Sequence, residues 1–245
     1  MGSRELFAAA GVVLAGLGNP VDAHRDDYLT ETFVFETLEA REFEPEVFLD
    51  FARRSDGVSV RDYALAFEYG MTEHWMVDAF LAWRDPADGD ASFKRFRTET
   101  RHRFGEEGDR PVDIAASLEA EYEREIEPGG QEFKAYVLTP RLVLSRDLGA
   151  DFNITLNLDL GREFRVGLPD RWTPGVALGG RYPREAMLRC GVEFRRDFGD
   201  EQTSLVVPQM WFSLPRDTTL KLGAGLDLGG SEGEDFLRVV FEIEF

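Results

Sequence analysis

Phe152-Asn153-Ile154-Thr155-Leu156-Asn157-Leu158-Asp159-Leu160 carries an apolar side chain at every even position and a polar one at every odd position. In an extended chain successive side chains point to opposite faces, so this stretch reads as a strand with one oily face and one wet face. The same alternation returns in Tyr63, Leu65, Phe67 and Tyr69, and in Trp75, Val77, Ala79, Leu81 and Trp83. It appears again in Ile114, Ala116, Leu118, Ala120 and Tyr122, and in Leu220, Leu222, Ala224 and Leu226. Polar segments rich in Gly, Asp, Pro or Glu separate the repeats, as turns separate antiparallel strands. The pattern predicts about twelve strands, over 43–54, 60–70, 74–84, 92–104, 112–124, 132–145, 151–160, 173–182, 186–196, 203–213, 218–228 and 236–245.

These lengths carry information of their own. About 9–11 tilted residues cross a membrane, whereas strands of soluble sheets run nearer five or six. An even strand count suits a single-chain barrel with both ends on the periplasmic side. The expected fold is therefore all-β, an antiparallel up-and-down transmembrane β-barrel over residues 43–245. Trp75 and Trp83 share a face eight positions apart, which at ~3.3 Å per residue and ~40° tilt sets them ~20 Å apart along the membrane normal. That separation fits two aromatic girdles; two core tryptophans of a soluble sandwich are the competing reading.

Composition agrees without deciding. The chain has 245 residues, 43% of them hydrophobic, and a mean hydropathy of −0.31, which excludes both a disordered chain and a bundle of membrane helices. A formal charge of −19 argues against nucleic acid as a partner, because phosphate binding needs a basic surface. The lone Cys190 excludes an internal disulfide and, alternating with Leu188, Val192 and Phe194, reads as a small apolar packing residue. Behind Arg4, Leu6 to Gly18 is a short apolar run, and Val21-Asp22-Ala23 follows with residues that suit signal peptidase. Residues 1–23 are expected to be an export signal cut after Ala23. The run is too short to span a membrane as a helix. Residues 24–42 remain, either as a periplasmic segment or as a plug folded into the barrel.

The last predicted strand, Phe236-Leu237-Arg238-Val239-Val240-Phe241-Glu242-Ile243-Glu244-Phe245, sets Leu237, Val239, Phe241, Ile243 and Phe245 on one face and stops on Phe. This resembles the C-terminal signature of bacterial outer-membrane β-barrels, in which a final amphipathic strand ending in Phe is read by the barrel-assembly machinery. The resemblance implies location in the cell outer membrane, Phe241 and Phe245 as an assembly signal, and outer-membrane lipid and the assembly machinery as partners. Phe67-Glu68-Tyr69-Gly70-Met71-Thr72-Glu73-His74-Trp75, read as strand, tight glycine turn and strand, resembles a hairpin of the barrel proteins associated with phenol-degradation pathways, a family connected with transport. No functional residue is carried over from it.

The catalytic inventory is thin. After the expected signal His24, the first residue beyond it, His74 and His102 remain; neither His74 nor His102 is in a Ser/His/Asp arrangement, and with one cysteine they form no zinc site by spacing. No enzyme activity, cofactor or metal is expected. The constellation that stands out is electrostatic. The odd face of 92–104 carries Arg95, Arg97, Glu99, Arg101 and Arg103, and that of 112–124 carries Asp113, Glu119, Glu121 and Glu123. With a turn from Gly105 to Pro111, Arg103 would face Asp113, Arg97 would face Glu119 and Arg95 would face Glu121, pairing opposite charges inside the lumen. Such a ladder is either a brace filling a narrow barrel or the lining of a polar conduit. The even face of 92–104, with Lys94, Thr98, Thr100 and His102, makes a poor lipid surface. The leading expectation is an outer-membrane barrel, either a narrow pore for small solutes or a closed structural barrel. The alternatives are an exported soluble β-protein holding a small apolar ligand and, last, a barrel hydrolase.

Overall fold

The computed structural model describes residues 27–30, 32–53, 59–86, 91–126, 132–149, 151–184, 186–199, 202–229 and 235–245. The expected export signal, 1–23, lies outside them. Twelve strands follow one another: β1 (Phe43–Arg53), β2 (Ser59–Thr72), β3 (Trp75–Pro86), β4 (Ser92–Arg103), β5 (Asp113–Ile126), β6 (Glu132–Leu148), β7 (Phe152–Arg165), β8 (Arg171–Tyr182), β9 (Leu188–Asp197), β10 (Thr203–Leu214), β11 (Thr218–Asp227) and β12 (Asp235–Ile243). Each pairs antiparallel with the next, and β12 pairs with β1 through Val47↔Phe241 and Leu49↔Val239, so the sheet closes on itself. Closure leaves no edge with unpaired backbone groups, which is the condition for placing a sheet in oil. Phe245 prolongs the closing ladder by exchanging two backbone hydrogen bonds with Phe43, at 3.1 and 3.0 Å.

The side chains decide between a membrane barrel and a soluble sandwich. On β7 Asn153, Thr155, Asn157 and Asp159 are buried, while Phe152, Leu158 and Leu160 are exposed. Leu49, Phe51, Leu118, Leu138, Leu178 and Leu237 are likewise exposed on their strands. A soluble protein does not expose a continuous apolar belt of this kind. Polar side chains fill the interior, as in membrane barrels with an aqueous or plugged lumen.

All twelve expected strands are present, with ends displaced where the alternation is interrupted. β7 continues to Arg165, beyond the expected 160, because Gly161 still points inward where a Cβ would meet Thr173 Oγ1 at 2.2 Å. The uneasy even face of β4 also has an explanation. The register with β3 shifts between Ala82 and Trp83, and Lys94 ends on the inner side, its Nζ 2.9 Å from Asp62. Trp75 Nε1 donates to the Thr100 hydroxyl, which in turn donates to the Met76 carbonyl. Gly70 is not the turn of its hairpin: the turn is Glu73-His74, and Gly70 lies within β2.

Candidate functional site: the occupied lumen

Residues 27–30 and 32–38 of the N-terminal segment lie against inward side chains of the barrel. The segment crosses the rim where β1 begins and β12 ends, the chain-end rim, through a pair of backbone bonds, Arg41 N to Gly70 O at 2.7 Å and Gly70 N to Glu42 O at 3.0 Å. Passage requires glycine at position 70, since a Cβ there would lie 1.7 Å from the Glu39 carbonyl oxygen. Inside, Tyr28, Leu29, Thr32, Phe33, Val34, Phe35 and Leu38 are all buried.

The docking is specific. Asn157 faces the Phe33 peptide, accepting from its N–H at 2.7 Å and donating to its carbonyl at 2.9 Å, as a neighbouring strand would. The Phe33 ring lies between the Arg101 and Arg141 guanidinium groups, each 4.1 Å from its centroid. The fully buried Glu193 carboxylate accepts the N–H groups of Thr30 and Thr32, both at 3.0 Å, and the Thr32 hydroxyl. Gln209 Oε1 accepts from Leu29 N at 2.9 Å, and Arg238 donates to the Leu29 carbonyl at 2.6 Å. Asp27 accepts from Arg101 at 3.0 Å and from Val34 N at 2.8 Å. Two glycines leave room: a Cβ on Gly179 would lie 2.5 Å from the Tyr28 ring, and one on Gly223 would lie 2.4 Å from Leu29. Burial raises the Tyr28 phenol above its ordinary range and Arg181 opposes this, so the group stays protonated.

The charged residues expected in the ladder, Arg95 to Arg103 on β4 and Asp113 to Glu123 on β5, face the interior, in a register two residues from the expected one. Arg95 stands opposite Glu123, Arg97 opposite Glu121, Glu99 opposite Glu119, and Arg103 opposite Ala115. Side chains reach diagonally, so Arg95 meets Glu121 at 3.3 Å and Arg97 reaches Glu119 at 4.0 Å. The closer partner of Arg97 is Asp78 on β3, at 3.1 Å. Arg103 does not pair with Asp113. It meets Glu106 at 3.2 Å, and Asp113 accepts from Gly108 N at 3.0 Å. Arg101 pairs with Glu99 at 3.4 Å as well as with Asp27.

Further residues complete this network. Arg141 of β6 donates to Asp159 at 2.6 Å and approaches Glu99 at 3.4 Å and Glu119 at 3.9 Å. Arg238 forks onto Asp50 at 2.7 and 2.6 Å. Glu44, Glu46 and Glu242 bring three buried carboxylates within 4.8 Å of one another, and the Lys221 ammonium bonds Glu46 at 3.2 Å and also Glu242, supplying the positive charge there. The sequence offered a signal for Asn157, Asp159 and Glu193, which fall at inward positions of predicted strands, but no signal for what each touches.

On the outer wall, Trp75 lies at the end of β3 near the chain-end rim and Trp83 near the opposite rim, where it packs edge-on against Phe93. His102 is also on this wall, against Phe104. His74 is in a turn at the chain-end rim, 3.0 Å from Glu106. Cys190 is exposed on the wall rather than packed in a core.

No protein-family model matches the chain, and no curated protein matches it by sequence. Solved structures do. The COG4313 outer membrane channel from Pseudomonas putida F1 superposes with a TM-score of 0.64 at 12% identity, over 86% of this chain and 98% of the other. The NanC porin follows at 0.60 and 10%, over 80% and 98%. The KdgM porin gives 0.56 and 10%, over 82% and 99%. The fold is that of outer-membrane channels and porins. At these identities the likeness is one of fold.

Proposed function

We propose that the chain is a non-enzymatic outer-membrane barrel that passes small solutes through a lumen narrowed by its own residues 27–30 and 32–38. The observation that carries this reading is the docked segment: its backbone is bonded to inward side chains of β7, β9, β10 and β12, while the outer wall is apolar. The ion pairs of β3 to β7 act as a brace for the wall and as the polar lining beside the segment. Trp75 and Trp83 mark the two interfacial zones, and the rim where β1 begins and β12 ends faces the periplasm. The names of the similar structures, a channel and two porins, support transport over catalysis.

Planar-bilayer recording of the mature protein, with and without residues 27–38, tests the reading. The parent should conduct weakly and the deletion severalfold more. Equal conductance in two proteins that both fold as heat-modifiable barrels would contradict it.

A further inference from the structure

One level of the inner wall carries a line of like charges. Glu44 of β1, Glu68 of β2, Asp78 of β3, Glu99 of β4 and Glu119 of β5 stand directly opposite one another from strand to strand, and the alternation of their strands turns all five into the lumen. Carboxylates set directly opposite weaken a strand pair, and cations answer most of this line. Arg97 meets Asp78 at 3.1 Å, and Arg141 lies 3.4 Å from Glu99 and 3.9 Å from Glu119. Beside the line, Lys221 bonds both Glu46 and Glu242.

Glu68 differs from its neighbours. It is half-buried, and its carboxylate makes no hydrogen bond or ion pair with the described residues. The charged groups that face it are Glu44 and Glu46 on β1, Asp78 on β3, Arg101 on β4 and Asp27 of the inner segment. Arg101, the cation among them, is turned to Asp27 at 3.0 Å and to Glu99 at 3.4 Å. Asp27 is thus held in its seat by Arg101 and opposed there by Glu68.

We propose that Glu68 is a proton-operated latch on the inner segment. With a proton its carboxyl is neutral, and Asp27 stays on Arg101. Without one, it repels Asp27 and competes for Arg101, so the segment leaves its seat more often. The sign follows from what docking changes: the segment brings one more carboxylate towards Glu68 and engages the nearest cation. Proton uptake by Glu68 and docking therefore favour each other, and docking weakens as the pH rises. The inference rests on the reading above, in which the docked segment narrows the lumen.

Planar-bilayer recording of heat-modifiable protein from about pH 6 to about pH 9 tests it. The proteins compared are the parent, the 27–38 deletion, Glu68→Gln and Glu123→Gln. In the parent, the share of time at the conductance of the deletion should rise at least about threefold across this range, since one linked proton shifts an equilibrium by at most about tenfold per pH unit. Glu68→Gln keeps the size of the side chain without its charge; it should stay docked throughout and match the parent at the acid end. Glu68→Ala serves in its place if the glutamine variant does not fold. Glu123→Gln, opposite Arg95 on the inner face of β5, should keep the parent's response. A parent that does not respond to pH, or a Glu68 variant that keeps the parent's rise, overturns the latch and leaves the docked segment intact. A deletion that conducts no more than the parent overturns the reading beneath it.

Discussion

Replacing Glu193 by Ala removes the acceptor that holds the turn of the inner segment. Three donors of that segment end on this fully buried carboxylate, Thr30 N, Thr32 N and the Thr32 hydroxyl, and Gln209 Nε2 approaches it at 3.3 Å. A hydrogen bond to a charged group contributes about 1.5–3 kcal/mol. Three of them sum to roughly 4.5–9 kcal/mol, and the lower end applies because donors released from the lumen regain water. Moving a two-state element from 1:99 to 99:1 takes about 5.5 kcal/mol. The loss is therefore large enough to turn a docked segment into one that leaves its seat for a measurable share of the time. In single-channel recordings Glu193→Ala should visit the conductance of the 27–38 deletion, while Glu193→Gln, which keeps an acceptor of the same size, should do so less often. If the deletion raises conductance and Glu193→Ala behaves as the parent does, Glu193 does not anchor the segment and the reasoning fails.

Other consequences are separable. Gly70→Ala places a methyl group against the Glu39 carbonyl at 1.7 Å, where neither backbone can yield cheaply; it should lower the unfolding temperature of the purified barrel by several degrees, and an unchanged melt would show that the segment crosses elsewhere. A double-mutant cycle should give Arg97 a larger coupling to Asp78, at 3.1 Å, than to Glu119, at 4.0 Å, on the order of 1–3 kcal/mol against less than 1; the reverse order would restore the register expected from sequence. Deleting Phe245 or changing it to Asp should reduce the folded barrel recovered from membranes far more than Glu244→Ala, because Phe245 is exposed at the seam where β12 meets β1. Equal recovery would remove its role in assembly.

The strands were legible because oil outside and polar groups inside impose a period of two on nearly every one of them. The same period explains the error on β4 and β5. A slip of two residues keeps every side chain on its face, so the pattern of Arg95 to Arg103 and Asp113 to Glu123 cannot tell one such register from another. The turn decides it, through Phe104 N donating to the Ile114 carbonyl at 2.9 Å. The inward turn of Lys94 was hidden because a bulge leaves no mark in composition. The inner segment was hidden for a different reason: Leu29, Phe33, Phe35 and Leu38 follow no strand or helix period, since each is placed by the partner it meets across the lumen.

The protein is inverted, with an apolar outer wall suited to lipid and its own chain at its centre. The four tryptophans report on it, since Trp75 and Trp172 are exposed on the wall while Trp211 is fully buried beside Tyr28, 5.6 Å between ring centroids. Single-tryptophan variants reconstituted in lipids with brominated acyl chains measure this directly by fluorescence quenching. Trp75 and Trp172 should be strongly quenched and Trp211 almost not at all; quenching of Trp211 with Trp75 and Trp172 spared would rule out a lipid-facing outer wall.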